Sequence, residues 1–292
     1  MSRGKEKEVI DWLQSNIGKI VLPHIGVLKE VREIGAVNDN RKKGDVYLNN
    51  VSVSLKDVEG SFLYNRLYRS DLSRLGISPQ WFDQKVLEIH RDGIQRNVKW
   101  HGSMEDKKFK AVLETLMMSM NAKQGFSSHP ADLILTHPKK VNHVLDIALF
   151  DFDEFFKLFS ENWITYAFRR CWHGQKDTTE HNRAKRILSN PSNEKWSFHG
   201  VSGKPKAWRE DVPEEERKTC FACSVEIRSP VKWSVLQEFR QSLLDSGFPM
   251  SNSFYVERVV HAVRSHFNGK IITSRMDERW QEVLEIATQI KN

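Results

Sequence analysis

Val9, Ile10, Trp12 and Leu13 fall at helical spacing with a polar opposite face, which predicts an opening amphipathic helix. A second apolar stretch from Ile20 to Ile34 reads as another helix, with Pro23 placed to start or kink it. Asn38-Asp39-Asn40 and the basic run Arg41-Lys42-Lys43-Gly44 then read as a loop. Over 45–57 the pattern changes. Two β-rich runs flank Asn49-Asn50, and asparagine accepts the left-handed backbone of a tight turn, so this segment predicts a β-hairpin. Phe62 through Leu75 returns to helical spacing and carries Arg66, Arg69 and Arg74. Ser78-Pro79 marks a helix start, and Ser103-Met104-Glu105-Asp106 resembles a capping box ahead of a helix reaching Met118.

Beyond residue 128 the signals turn toward strands, at Ala131–Thr136, Ile164–Phe168, Trp196–His199 and Cys220–Ile227. Three helical patterns close the chain near 232–246, 253–267 and 276–290. Interleaved helices and strands without an internal repeat predict an α/β (α+β) fold, one mixed central sheet flanked by helices. The polar stretch 174–194 and the acidic segment 211–216 read as excursions from that body, and no domain boundary stands out.

Composition narrows the function classes. With 292 residues, 39% hydrophobic, nine Trp and sixteen Phe, the chain is too apolar and aromatic to be disordered. No apolar run approaches the roughly 20 residues of a bilayer span, and the start lacks the apolar centre of a signal peptide. Three cysteines make no disulfide framework and suit a reducing compartment, so a cytoplasmic protein without membrane contact is expected. Forty-five Lys+Arg against 38 Asp+Glu give a net charge of +7, the electrostatic footprint of a nucleic-acid binder and equally of many basic proteins that bind none.

The hairpin carries the candidate chemistry. With the turn at Asn49-Asn50, Leu48 faces Val51 and Asp45 falls opposite Ser54. Because side chains alternate, Asp45, Ser54 and Lys56 share one face, and Val46, Leu48, Val53 and Leu55 share the other. A carboxylate, a hydroxyl and an amine gathered in this way suit metal-dependent phosphodiester hydrolysis. Carboxylate oxygens hold Mg²⁺, and a lysine offsets transition-state charge or orients water. The competing reading is the wet face of a half-exposed sheet, with Asp and Lys forming a surface pair worth about 0–1 kcal/mol.

Gly44-Asp45-Val46, the hairpin, and Ser54-Leu55-Lys56 together resemble the PD-(D/E)XK motif of many Type II restriction endonucleases. The resemblance covers about fifteen residues. It implies a restriction-endonuclease-like core with Asp45 as the metal-binding aspartate and Lys56 as the catalytic lysine. Ser54 stands where the family usually has its second acid, as in Ser-x-Lys variants, so a further carboxylate is needed. The family commonly supplies one from the preceding helix, which points to Glu33, with Glu30 as alternate. The resemblance further implies a Mg²⁺ cofactor, a double-stranded DNA substrate and a homodimer. The chain would be a single endonuclease domain over 1–292, its catalytic core about 5–136 and its segment 160–290 serving DNA recognition or dimerisation. A repair or recombination nuclease on the same core, or a DNA-binding protein without catalysis, are the alternatives.

Pro130-Ala131-Asp132 with Lys139-Lys140 echoes the same motif, but Pro138 interrupts pairing before the lysines, so 131–136 reads as a buried core strand. Candidate phosphate contacts are Arg41, Lys43, Arg66 and Arg69, the last two sharing a face of the expected helix, together with Lys204, Lys206 and Arg209. Cys171, Cys220 and Cys223 offer thiols for zinc or sit as buried free cysteines; a lone Cys-x-x-Cys within a strand favours the latter.

Overall fold

The structure is a computed structural model describing residues 3–34, 41–67, 73–78, 98–99, 106–121, 125–159, 164–170, 221–228, 231–250 and 253–290. Helix α1 (Arg3–Ser15) opens the chain as its spacing predicts and buries Val9, Ile10 and Leu13. The stretch expected to form a second helix does not. It folds as a small hairpin, β1 (Val21–Leu22) and β2 (Gly26–Val27), followed by strand β3 (Val31–Glu33). Pro23 lacks an N–H, and His24 and Gly26 adopt φ of 61° and 74°, so the chain reverses where a helix would have to continue.

Strands β4 (Val46–Leu48) and β5 (Val51–Asp57) form the predicted hairpin, with Leu48 opposite Val51 and φ of 49° and 76° at Asn49 and Asn50. The Asn49 side chain accepts from the N–H groups of Lys29 and Glu30 and donates to the Val27 carbonyl. The turn is thereby tied to the segment leading into β3. Strand β6 (Ser61–Leu67) stands where the first part of the helix expected over 62–75 would lie, and residues 68–72 lie outside the described residues. Its long-range pairing with 221–228 overrides the local spacing.

Next come β7 (Val98–Lys99), helix α2 (Asp106–Glu114) ending in a π turn over Thr115–Ser119, and the short hairpin β8 (Met120–Asn121) and β9 (Gly125–Phe126). Strands β10 (Leu133–His137) and β11 (Ala148–Phe150) and helix α3 (Phe152–Phe159) follow. Strands β12 (Ile164–Arg170) and β13 (Phe221–Arg228) confirm two expected strands. Helices α4 (Trp233–Asp245), α5 (Ser253–His266) and α6 (Trp280–Gln289) match the three C-terminal patterns closely. The expected strand at 196–199 and the segments 174–194 and 211–216 lie outside the described residues.

The class is α+β, built on a mixed five-stranded sheet in the order β11-β10-β5-β4-β3, with six helices among the described residues. It is mixed because β5 and β10 run parallel while the other neighbours are antiparallel. A single sheet was expected, yet a second, wholly antiparallel one stands beside it in the order β6-β13-β12-β7. Strands β12 and β13 bond to each other and to β6 rather than extending the first sheet.

Both faces of the mixed sheet are covered. Helix α1 packs Val9, Ile10 and Leu13 against Val46, Leu48, Val53, Leu55, Leu133 and Leu135. On the other face Ile134, Ala148 and Phe150 join a core with Leu113, Phe155, Phe239, Val259 and Val283 from the remaining helices. All five residues of β10 are therefore buried, as expected for a strand with no wet face. Among the described residues no helix is long and apolar enough to cross a membrane.

Candidate active site

Asp45 owes its position to the point where β4 ends. Strand β4 covers β5 only as far as Val53, opposite Val46, and the Asp45 N–H donates to the Val53 carbonyl at 2.8 Å. The Leu55 N–H, farther along that edge, donates to Asp45 Oδ2 at 2.8 Å, and Ser54 Oγ lies 3.4 Å from the same oxygen. The carboxylate thus serves as the acceptor that a longer β4 would have supplied. The expected juxtaposition of Asp45 and Ser54 is present.

The loop entering Asp45 is equally constrained. The Lys43 and Gly44 N–H groups both donate to the His129 carbonyl, at 3.1 and 2.9 Å. A Cβ at Gly44 would run into Ser52 Oγ and Ile34 Cδ1, so only glycine lets the loop lie this close to β5.

The polar face of the hairpin is not wet. Ser52 and Ser54 are 4% and 1% exposed. Ser52 Oγ donates to the Pro130 carbonyl. Lys56 is only partly accessible, and burial pushes its ammonium pKa down while Asp45 and Glu6 pull it back up. A lysine held in this way is not the solvated partner of a surface ion pair, whose groups keep their hydration.

Glu6 is the residue that sequence reasoning missed. It lies in the first turn of α1, half-buried, and its carboxyl is pushed above the usual range, first by burial and then by the charge of Asp45. Lys42 and Lys56 act in the opposite direction, and Glu33 adds to the rise. The sequence did hold a signal: Glu6, Val9, Ile10 and Leu13 are spaced i, i+3, i+4, i+7, which puts a carboxylate on the apolar stripe of α1.

Glu33 and Glu30 are not on a helix, contrary to expectation. Glu33 is exposed on edge strand β3, opposite Val46, and adds its charge to the field at Glu6. Glu30 is exposed before β3, with Arg32 Nε 4.0 Å away, and Arg32 in turn lies over the Tyr47 ring. The helix-borne acid whose charge acts together with those of Asp45 and Lys56 is Glu6.

Lys43, expected as a phosphate contact, is engaged within the chain. Its Nζ donates to the Leu116 carbonyl in the π turn at 2.6 Å, and burial together with Lys56 pushes its pKa down to about 8. It pins the Asp45 loop to the end of α2. Arg41 is exposed. Arg66 sits on β6, not on a helix shared with Arg69. Arg69, Lys204, Lys206, Arg209, Cys171 and Cys220 lie outside the described residues, and Cys223 is on β13.

The rival motif at 130–140 is structural. Asp132 exchanges backbone and carboxylate hydrogen bonds with Ser52, registering β10 against β5, and Lys139 pairs with Glu59 at 2.9 Å. Among the described residues the group of His, Cys, Asp and Glu side chains with the spacing of metal ligands is His24, Asp151 and Glu154. Asp151 and Glu154 exchange the hydrogen bonds of a capping box at the start of α3, and His24 Nε2 lies 2.7 Å from Glu154. Helix capping accounts for Asp151 and Glu154, and His24 joins them through its contact with Glu154.

Asp45, Glu6 and Ser54 offer only oxygen donors, the set a hard cation such as Mg²⁺ takes. The charge of Asp45, which after burial is the next cause of the raised Glu6, is one that a bound divalent cation would offset. No family model matches the chain, and neither does a curated protein or a solved structure.

Proposed function

We propose that the chain is a Mg²⁺-dependent endonuclease of double-stranded DNA with a restriction-endonuclease-like core, specifically a Type II restriction enzyme acting in the cytoplasm. The observation that carries this reading is the desolvated Lys56 sharing one electrostatic cluster with Asp45 and Glu6 at the truncated end of β4. Groups whose charged forms are perturbed by burial and by specific charge partners concentrate at functional sites, which supports this reading.

Asp45 and Glu6 would hold the cation, with the Ser54 hydroxyl adding an uncharged oxygen. A bound Mg²⁺ supplies Lewis-acid polarisation of a phosphoryl oxygen and a more acidic water. Asp45, fixed by the Leu55 N–H, does not have to reorganise as the reaction proceeds. Lys56 donates N–H to the attacking water or to a phosphoryl oxygen, and its charge offsets the negative charge building there. The +7 net charge supports attraction to a DNA backbone, and a homodimer would match a palindromic site.

The test is incubation with unmodified phage DNA in Mg²⁺ and in EDTA, followed by gel analysis. Discrete Mg²⁺-dependent bands are expected. A smear would replace site-specific cleavage with a repair-type or non-specific nuclease, and intact DNA across several substrates would leave a DNA-binding protein without catalysis. Asp45→Asn keeps an oxygen for the Leu55 N–H, so it should fold normally and lose on the order of 100-fold or more in cleavage rate. Lys56→Met and Glu6→Gln should lose comparable activity in single-turnover assays. Wild-type rates in any of the three would remove that residue from the site.

A further inference from the structure

Away from Asp45, a cleft of about 770 Å³ opens between α3 and α5 and reaches Ile290 after α6. Its walls carry three permanent cations, Lys157, Arg258 and Arg264, and one carboxylate, Glu154. That carboxylate is already engaged, since its Oε2 accepts from the Asp151 N–H at 3.1 Å and lies 2.7 Å from His24 Nε2. His261 adds no charge at neutral pH, because burial and Arg264 push it down to about 4. Among the described residues the lining therefore holds more cations than carboxylates.

The lining also carries the polar Ser265 and Asn268 and the apolar Leu158, Phe254 and Ile290, and the Arg258 guanidinium lies 5.6 Å from the centre of the Phe254 ring. The volume is much larger than a simple ion requires and lies within the range of pockets that enclose small organic ligands. Guanidinium groups match phosphate oxygens in fork geometry and also stack on planar rings. We propose that this cleft binds an organic phosphate, a phosphate monoester or polyphosphate attached to a ring as in a nucleotide, through Lys157, Arg258 and Arg264. The ligand is either a free nucleotide or the phosphorylated end of a nucleic-acid strand, two sources of one chemistry. The site is independent of the nuclease reading.

The full-length protein in EDTA is titrated with mant-labelled ATP by fluorescence and with a 5′-phosphorylated, fluorescein-labelled oligonucleotide by anisotropy. Saturable binding of at least one probe is expected. Lys157→Glu, at an exposed position, and Arg258→Gln should each weaken it by about tenfold or more. Asp45→Asn should leave it unchanged, as should Lys29→Glu, which makes the same charge reversal at another exposed position. Binding of mant-ATP alone identifies a free nucleotide, binding of the oligonucleotide alone a strand end, and binding of both the shared phosphate. Absence of saturable binding by either probe overturns the proposal. So does binding that Lys157→Glu changes no more than Lys29→Glu does.

Discussion

Gly44 and Asp45 set the geometry of the site as a pair. Gly44 lets the loop approach Ser52, and the approach delivers the Asp45 carboxylate to the Leu55 N–H. Gly44→Ala would press a methyl group into Ser52 Oγ and Ile34, forcing the loop outward at a cost of about 1–3 kcal/mol. Urea denaturation should show the loss, and Gly44→Ala with Ser52→Ala should recover part of it because the obstructing oxygen is gone. An unchanged midpoint in the single variant would mean that the loop moves freely. Asp45 and Lys56 were readable because hairpin parity is a short-range property. Glu6 stands almost forty residues from Asp45 in sequence, so only the packing of α1 across the sheet reveals their proximity.

At the scale of elements, legibility followed the range of the interactions. The β4–β5 hairpin, α1 and the three C-terminal helices are specified by turn residues and periodicity within their own segments, and the sequence reading located them. The segments 20–34 and, as far as the described residues go, 62–67 were misread as helices because apolar spacing there is ambiguous. A turn at His24 and Gly26 decides the first, and a partner strand at 221–228 decides the second. A buried charge in α5 gives a prediction of its own. Glu257 is 7% exposed and burial pushes its pKa from 4.5 to about 7. The folded state thus retains a proton that the unfolded chain releases, so the penalty is absent below about pH 4.5, grows to pH 7 and then stays constant. Glu257→Gln should match wild-type stability near pH 4.5 and exceed it by up to about 3 kcal/mol at pH 7.5. A stability difference independent of pH would show that Glu257 titrates normally.

For the molecule as a whole, the mixed sheet separates two apolar cores. Leu13 is fully buried in the α1 core and Leu243 in the core of the other helices. Each Leu→Ala exchange should cost about 2–5 kcal/mol. Because the two sites share no packing partners, the double variant should show the sum to within about 0.5 kcal/mol. Only Leu13→Ala loosens the helix that carries Glu6, so in chains still folded it should reduce cleavage more than Leu243→Ala does. Equal losses of cleavage at equal destabilisation would dissociate α1 from the site. The parallel pairing of β5 with β10 also has a consequence for synthesis of the chain. Ser52 and Asp132, which register the two strands, are 80 residues apart. At a ribosomal rate of about 5–20 residues per second, the hairpin bearing Asp45 and Lys56 leaves the ribosome roughly 4–16 s before the strand that encloses it. A nascent chain therefore carries the complete hairpin for seconds before β10, whose Thr136 pairs with Lys56, is available to shield the lysine from water.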